Sequence, residues 1–143
     1  MKIKKLLFWC VFCWTAIMNT SAWAQMGYAQ RMNLEINNKI YSVVLENNIT
    51  TEALRSRLPM TLNMEDLYGS EKYAYITEPL PMQPQRMDTI NAGDVLLWGN
   101  DCLVIFYNHV STLDEYTKIG HIENVEDLAI TAGSDSVNVT WFR

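Results

Sequence analysis

The sequence predicts a mainly β fold: a closed barrel of about eight short, mostly antiparallel strands with two short helices covering its ends. Residues 95–98 and 103–107 are apolar runs that are too short for buried helices, and 99–101 (Gly-Asn-Asp) can form the tight turn between them. Apolar and polar residues alternate over 32–36 and 136–142, as in half-buried strands. Closure is favoured because a barrel leaves no strand edge exposed.

Residues 1–24 are predicted to be a cleaved signal peptide. Three lysines precede the apolar stretch 6–18, and the small residues Ala22 and Ala24 flank a tryptophan. An uncleaved anchor is the alternative, but the apolar stretch is short for a membrane span. We therefore expect export to the periplasm or beyond, and one domain, 25–143, that is free of the membrane.

The composition argues against several functional classes. The net charge is −5 and becomes more negative once the lysine-rich start is removed, so nucleic acid is not an expected partner. Cleavage leaves Cys102 as the single cysteine, without a disulfide partner, and we expect it to be a small buried apolar residue. His109 and His121 have no metal-ligand spacing, so neither a metal nor a cofactor is predicted.

The first elements in order are a hairpin and a helix. Strands 32–36 and 40–45 are joined by Asn37-Asn38, residues that tolerate a left-handed turn. Thr50 is predicted to cap the helix, which Pro59 brings to an end.

Two further strands and a proline-rich segment follow. Residues 60–64 alternate as a strand, and 71–76 form an extended segment with Tyr73 and Tyr75 on one side. Residues 78–84 contain three prolines and cannot be a central strand. They are either a plain connector, which we favour, or one wall of a groove.

The C-terminal part is predicted to contain a long strand, a helix and a final strand. Residues 115–122 read as one strand with a kink or bulge at Gly120. Asn124 can cap the second helix, Gly133 can end it, and 136–142 closes the chain.

Three stretches resemble the small bacterial and archaeal cyclophilin-like proteins. They are 90–98 (Ile-Asn-Ala-Gly-Asp-Val-Leu-Leu-Trp) with 102–107, 69–73 with 78–79, and 119–128. The resemblance extends over 32–142 and implies an eight-stranded cyclophilin-like β-barrel capped by two helices. True cyclophilins are peptidyl-prolyl isomerases with an Arg-aromatic-Gln set in a shallow apolar groove. This chain has no such set, so no catalytic residue is assigned.

The resemblance leaves two functions to weigh. The first is a binding module that holds a peptide or small ligand in a shallow aromatic groove, and the second is a peptidyl-prolyl isomerase acting on exported proteins. The missing catalytic set favours the first. The candidate groove residues are Tyr73, Tyr75, Tyr107, Tyr116, Lys72 and Arg86.

Each candidate also has a simpler explanation. The tyrosines can serve cross-strand packing, and Lys72 and Arg86 are candidates only because an isomerase needs a donor for the amide nitrogen. For Trp98 and Trp141, burial in the core is the default expectation for large aromatics in strands.

Overall fold

The structure, a computed structural model, describes residues 29–143, so the predicted signal peptide lies outside the described residues. It is a mainly β fold with two short helices. The elements are β1 (Arg31–Ile36), β2 (Lys39–Leu45), α1 (Ile49–Ser56), β3 (Met60–Leu67), β4 (Glu71–Tyr75), β5 (Gln85–Arg86), β6 (Thr89–Ile90), β7 (Asp94–Trp98), β8 (Cys102–Phe106), β9 (Val110–Ser111), β10 (Glu115–Ile122), α2 (Leu128–Ala132) and β11 (Val137–Phe142).

Eight of these strands close into an antiparallel barrel, as predicted. Around the barrel the order is β2, β1, β11, β3, β4, β8, β7 and β10, and β10 then pairs with β2. The short strand β5 extends the sheet beside β10, and β6 and β9 form a separate pair outside the barrel. These three two-residue strands were not predicted, because such short segments carry no readable alternation.

The predicted hairpin turns are confirmed. Asn37 and Asn38 have φ values of 47° and 64°, so the first hairpin uses the left-handed conformation that asparagine tolerates. Gly99 opens the turn between β7 and β8 with φ 61°. The apolar runs around it form the central hairpin, with Trp98 opposite Cys102.

Gly120 lies at the predicted irregularity in β10. The pairing of β10 with β7 shifts between Lys118 and Gly120, which is the mark of a β-bulge. A Cβ atom added at Gly120 would lie 2.2 Å from the backbone oxygen of Val44 in β2. Glycine is therefore required here for the close approach of two barrel strands.

The helix caps differ from those predicted. Asn48, not Thr50, caps α1: its side chain accepts from the Thr51 amide at 2.9 Å, completing a capping box. The Thr50 hydroxyl instead donates to the carbonyl of Pro81. At α2 the N-cap is Asp127 rather than Asn124, whereas Gly133 ends the helix as predicted.

The proline-rich segment is a connector attached to α1. Arg57 donates to the carbonyls of Glu78 and Pro79, and Leu80 is buried in the barrel core. No residue of 78–84 lines the groove described below. The favoured interpretation as a connector therefore fits, and the interpretation as a groove wall does not.

Two hydrophobic clusters are separated by strand alternation. On β8, Leu103 and Ile105 belong to the cluster inside the barrel, together with Trp141. Val104 and Phe106 point outward into a second cluster, which Met87, Ile90 and Tyr116 complete. β8 is apolar on both faces, and one cluster covers each face. The groove described below opens beside the outer cluster.

Candidate functional site: an aromatic groove on the outer face

A groove of about 470 Å³ lies on the outer face of the barrel, across β4, β8 and the start of β10. Its walls are mostly apolar and aromatic, and its described charged residues are both acidic. The lining residues are Leu67, Tyr68, Ser70, Glu71, Tyr73, Tyr75, Trp98, Cys102, Val104, Val110, Thr112, Asp114 and Tyr116.

One end of the groove is a row of side chains across three strands. Tyr75 pairs with Cys102 across β4 and β8, and Cys102 pairs with Trp98 across β8 and β7. Tyr75 is 60% exposed and Trp98 is 47% exposed, whereas Cys102 is buried beneath them. The two large rings therefore offer open faces above a small apolar floor.

Tyr73 stands in the middle of the groove wall on β4. Its ring meets that of Tyr75 edge to face, with centroids 6.2 Å apart. Its hydroxyl donates to Glu65 at 2.9 Å, and this hydrogen bond is the main reason that the pKa of Tyr73 is raised. The bond fixes the orientation of the ring.

Tyr68 borders the groove from the turn between β3 and β4. It has φ 55°, a left-handed conformation that is unfavourable for a bulky residue, and it is 93% exposed. Gly69 follows with φ 65°. The turn thus holds a large aromatic in solvent at the groove, in a conformation that glycine or asparagine would adopt at lower cost.

Glu71 brings a carboxyl group into the groove. Burial, reinforced by the nearby negative charges of Asp66 and Asp114, raises the pKa of Glu71 from 4.5 to about 7. None of the four ion pairs among residues 29–143 includes Glu71 or Asp114. The groove therefore contains two carboxyl groups without a cationic partner in the described part of the chain.

Among the described lining residues, neither the Cys102 thiol nor the Tyr116 hydroxyl is activated as a nucleophile. Burial raises the pKa of Cys102 to about 11, so its thiol stays protonated at neutral pH. Burial also raises the pKa of Tyr116 to about 12, with Glu71 and Asp114 adding to the shift. The predicted burial of Cys102 is confirmed.

The six candidate residues lie in three places: three line the groove, two lie inside the barrel, and Arg86 lies apart from both groups. Tyr73, Tyr75 and Tyr116 line the groove. Lys72 points to the barrel interior, because neighbouring residues of a strand face opposite sides, and it is only 1% exposed. Tyr107 lies with it inside the barrel.

Lys72 and Tyr107 form a buried network with Asp66. The Lys72 ammonium lies 2.9 Å from Asp66 Oδ1 and donates to the carbonyls of Gly133 and Asp135 at 2.8 and 2.6 Å. The Tyr107 hydroxyl also donates to Asp66, and its ring centroid is 5.4 Å from the ammonium. The network joins β3, β4 and the loop after α2, which is a structural role.

Arg86 is the outlier. It lies on β5 with an exposed side chain, 3.6 Å from Asp88, and it is not among the groove-lining residues. Its strand pairs with the start of β10 next to Tyr116, so it is near the groove wall in the sheet.

Sequence reasoning missed Trp98, Tyr68 and the pair Glu71 and Asp114 as groove residues. Alternation places Trp98 on the same face of β7 as Leu96, but only the structure shows that this is the outer face. The default burial expected for Trp98 is wrong, whereas Trp141 is fully buried. Tyr68 and Asp114 lie outside the strands, where no periodicity assigns a direction.

Residues 29–143 contain neither a metal-ligand cluster nor a membrane-spanning helix. No group of three or more His, Cys, Asp or Glu side chains there is arranged to hold a metal ion. No helix within this range has the length and apolar character needed to cross a membrane.

Glu71→Gln is expected to stabilise the protein in a pH-dependent way. An acid whose pKa is raised in the folded state loses its stabilising contribution as the pH rises from its unfolded pKa through its folded pKa. The wild type should therefore lose stability between about pH 4.5 and about pH 7, and the variant should gain on the order of 2 kcal/mol at about pH 8. Urea unfolding at several pH values measures this difference.

Glu126→Gln removes the same charge from an exposed position outside the groove and is the control. Its effect should be within about 0.5 kcal/mol at every pH. A Glu71→Gln variant with the same stability difference at about pH 4.5 and about pH 8 would contradict the raised pKa.

Comparison with known proteins places the fold in context. The model of the Cyclophilin-like family matches residues 34–142. The structure is similar to the solution structure of a hypothetical protein from Archaeoglobus fulgidus, with a TM-score of 0.60, 18% identity, and coverage of 80% of this chain and 95% of that chain. At this identity the likeness is one of fold alone. No protein of curated function matches the chain.

Proposed function

This chain belongs to the cyclophilin-like family, and on that premise we propose that it is an exported binding module whose groove holds a peptide or small ligand. The observation that carries the proposal is the outer-face groove with Tyr75 and Trp98 exposed at one end. Large aromatics normally lose solvent contact on folding. Exposed together around a concavity, they are typical of a recognition surface.

The size and chemistry of the groove support a ligand. Its volume of about 470 Å³ is within the ordinary range of ligand sites. Tyrosine combines a large apolar face with a polar tip and loses little conformational entropy on binding. The left-handed Tyr68 adds support, because backbone strain is commonly retained at ligand-contacting positions.

Isomerase activity is the alternative, and the groove offers less for it. Catalysis of prolyl rotation requires a donor at the amide nitrogen that acts on the twisted state, against an uncatalysed barrier of about 18–20 kcal/mol. None of the described lining residues is Arg, Lys, His or Gln. Lys72, one of the two candidate donors, is engaged inside the barrel.

NMR exchange spectroscopy with acetylated Xaa-Pro tetrapeptides and the purified protein tests both functions. Uncatalysed isomerisation takes tens of seconds or longer, so exchange cross-peaks at a catalytic protein concentration would establish an isomerase. Shifted peptide resonances without cis/trans exchange are the expected result. Unchanged spectra at millimolar protein would argue against peptide binding.

A pair of variants assigns any binding to the groove. Tyr75→Ala removes an exposed groove aromatic, and Ile40→Ala removes a side chain of equal exposure, 60%, on the first hairpin. We expect the first to weaken binding about tenfold, because an aromatic contact contributes about 1–2 kcal/mol, and the second to leave it unchanged. Equal effects of the two substitutions would place the binding surface elsewhere.

Export is the other part of the proposal. Its support is the lysine-rich start, the apolar stretch and the Ala-Trp-Ala sequence ending at Ala24. Expression of the full chain in a Gram-negative host, with mass spectrometry of the osmotic-shock fraction, should show a protein that begins at Gln25. An intact chain confined to the cytoplasm would contradict export.

A further inference from the structure

The groove is acidic as well as aromatic. Only two of its described lining residues carry charge, Glu71 and Asp114, and both are acidic. Neither forms an ion pair among residues 29–143, whereas Asp66 pairs with Lys72 and Asp127 with Lys39. No cation of the described chain neutralises the two groove carboxyls, so they are available to a ligand.

Ionisation of Glu71 is unfavourable in the empty groove. The titratable groups that share the groove with it are the acidic Asp114 and the neutral Tyr116 and Cys102. The charge of Asp66 also acts on Glu71, but Asp66 lies in the barrel-interior network with Lys72 and Tyr107. A neutral ligand that buried this carboxyl further would favour its protonated form, and an anionic ligand would do so more strongly. A cation is the ligand that would stabilise the carboxylate.

The aromatic side chains favour the same kind of ligand. Tyrosine and tryptophan faces attract cations by about 0.5–1 kcal/mol when exposed and by about 2 kcal/mol when desolvated. Five aromatics line the groove alongside the two carboxyls: Tyr68, Tyr73, Tyr75, Trp98 and Tyr116. Carboxylates beside open aromatic faces form a site for an ammonium or guanidinium group.

Resting on the binding function proposed above, we propose that the ligand of this groove is a peptide with a basic side chain, lysine or arginine, whose cation is held by Glu71 and Asp114 against the groove aromatics. A peptide is favoured over a free amine because the groove has the volume of a drug-sized ligand. A single alkylammonium would leave most of the aromatic surface uncovered. The negative net charge of the chain also favours encounter with a basic partner.

The test is an NMR titration with three acetylated, amidated pentapeptides that differ at one position. The probe is Ala-Leu-Lys-Leu-Ala, and the two comparison peptides carry norleucine or glutamate in place of lysine. We expect the lysine peptide to bind at least about tenfold more tightly than the norleucine peptide, and the glutamate peptide to bind most weakly. The preference for lysine should decline as the pH falls from about 8.5 to about 5.5, because Glu71 gains its proton.

Variants test the role of the two carboxyls, and a small amine tests whether the ligand must be a peptide. Glu71→Gln and Asp114→Asn should each reduce the lysine preference about threefold to tenfold, whereas Glu126→Gln should preserve it. Equal affinity for the lysine and norleucine peptides would overturn this inference and leave the binding function standing. Failure of all three peptides to bind would overturn this inference and argue against peptide binding, which leaves only a small ligand for the groove. Butylammonium binding as tightly as the lysine peptide would overturn the assignment of a peptide.

Discussion

Lys72→Met is expected to lower the free energy of unfolding by about 3 kcal/mol, which corresponds to a fall in Tm of about 10 °C for a domain of this size. Lys72 is 1% exposed, and its ammonium donates three hydrogen bonds, to Asp66 and to the carbonyls of Gly133 and Asp135. Methionine fills a similar volume but donates none of them. Because the partners remain in place, two carbonyls lose the Lys72 donor and the Asp66 carboxylate loses its cation, although Asp66 still accepts from Tyr107 and Gly69. Thermal and urea unfolding monitored by circular dichroism measure the loss.

Lys39→Met is the matched control. Lys39 also pairs with an aspartate, Asp127, and its ammonium lies 5.5 Å from the ring centroid of Tyr41, but the two side chains are 49% and 37% exposed. Exposed pairs contribute about 0–1 kcal/mol, so this variant should remain within that range. Equal losses in the two variants would contradict the structural role of the buried network.

The loss in Lys72→Met should also depend on pH. Burial acts to raise the pKa of Asp66, but hydrogen bonds from Tyr107 and Lys72 prevail and lower it. An acid with a lowered folded pKa contributes stability above its unfolded pKa, and that contribution is lost as the pH falls through the folded pKa. The difference between wild type and variant should therefore shrink below about pH 4. A difference that stays constant on acidification would remove Asp66 from this explanation.

Gly120→Ala is expected to destabilise the barrel by about 3 kcal/mol, near the upper end of the cost of overpacking. The new Cβ would lie 2.2 Å from the Val44 carbonyl oxygen and 3.1 Å from a methyl of Val43. Both belong to β2, and Gly120 faces Leu45 in the pairing that closes the barrel. Since a backbone oxygen cannot rotate away, the strands must separate where the barrel closes.

Gly69→Ala separates this clash from the ordinary cost of replacing a glycine. Gly69 has φ 65° and no heavy atom within 4 Å of an added Cβ, so its replacement carries conformational strain alone. That strain is about 1–2 kcal/mol. The urea midpoint should therefore be lower for Gly120→Ala than for Gly69→Ala. A smaller loss of stability at Gly120 than at Gly69 would show that β10 and β2 are not held this closely.

Local chemistry explains which features the sequence revealed. The hairpin turns at Asn37-Asn38 and Gly99, the bulge at Gly120 and the end of α2 at Gly133 depend on a few neighbouring residues. Thr50 was predicted as the N-cap of α1 in place of Asn48 because the chain has three possible capping residues close together, Asn48, Thr50 and Thr51. The Thr50 hydroxyl donates to Pro81, a partner brought near only by tertiary packing.

The sequence by itself determined a barrel of short strands, because alternation and turn residues record which segments are extended and where they reverse. It also placed Tyr73 and Tyr75 on one face of β4, whereas Lys72, which was expected in the same groove, occupies the opposite phase of the alternation. The tertiary structure alone decided which face is inside. Alternation assigns the residues of a strand to two faces but does not show which face lies inside the barrel, and β8 is apolar on both faces. The closed barrel therefore turned Lys72 inward to Asp66, and left Trp98, Tyr68 and Glu71 along the outer groove.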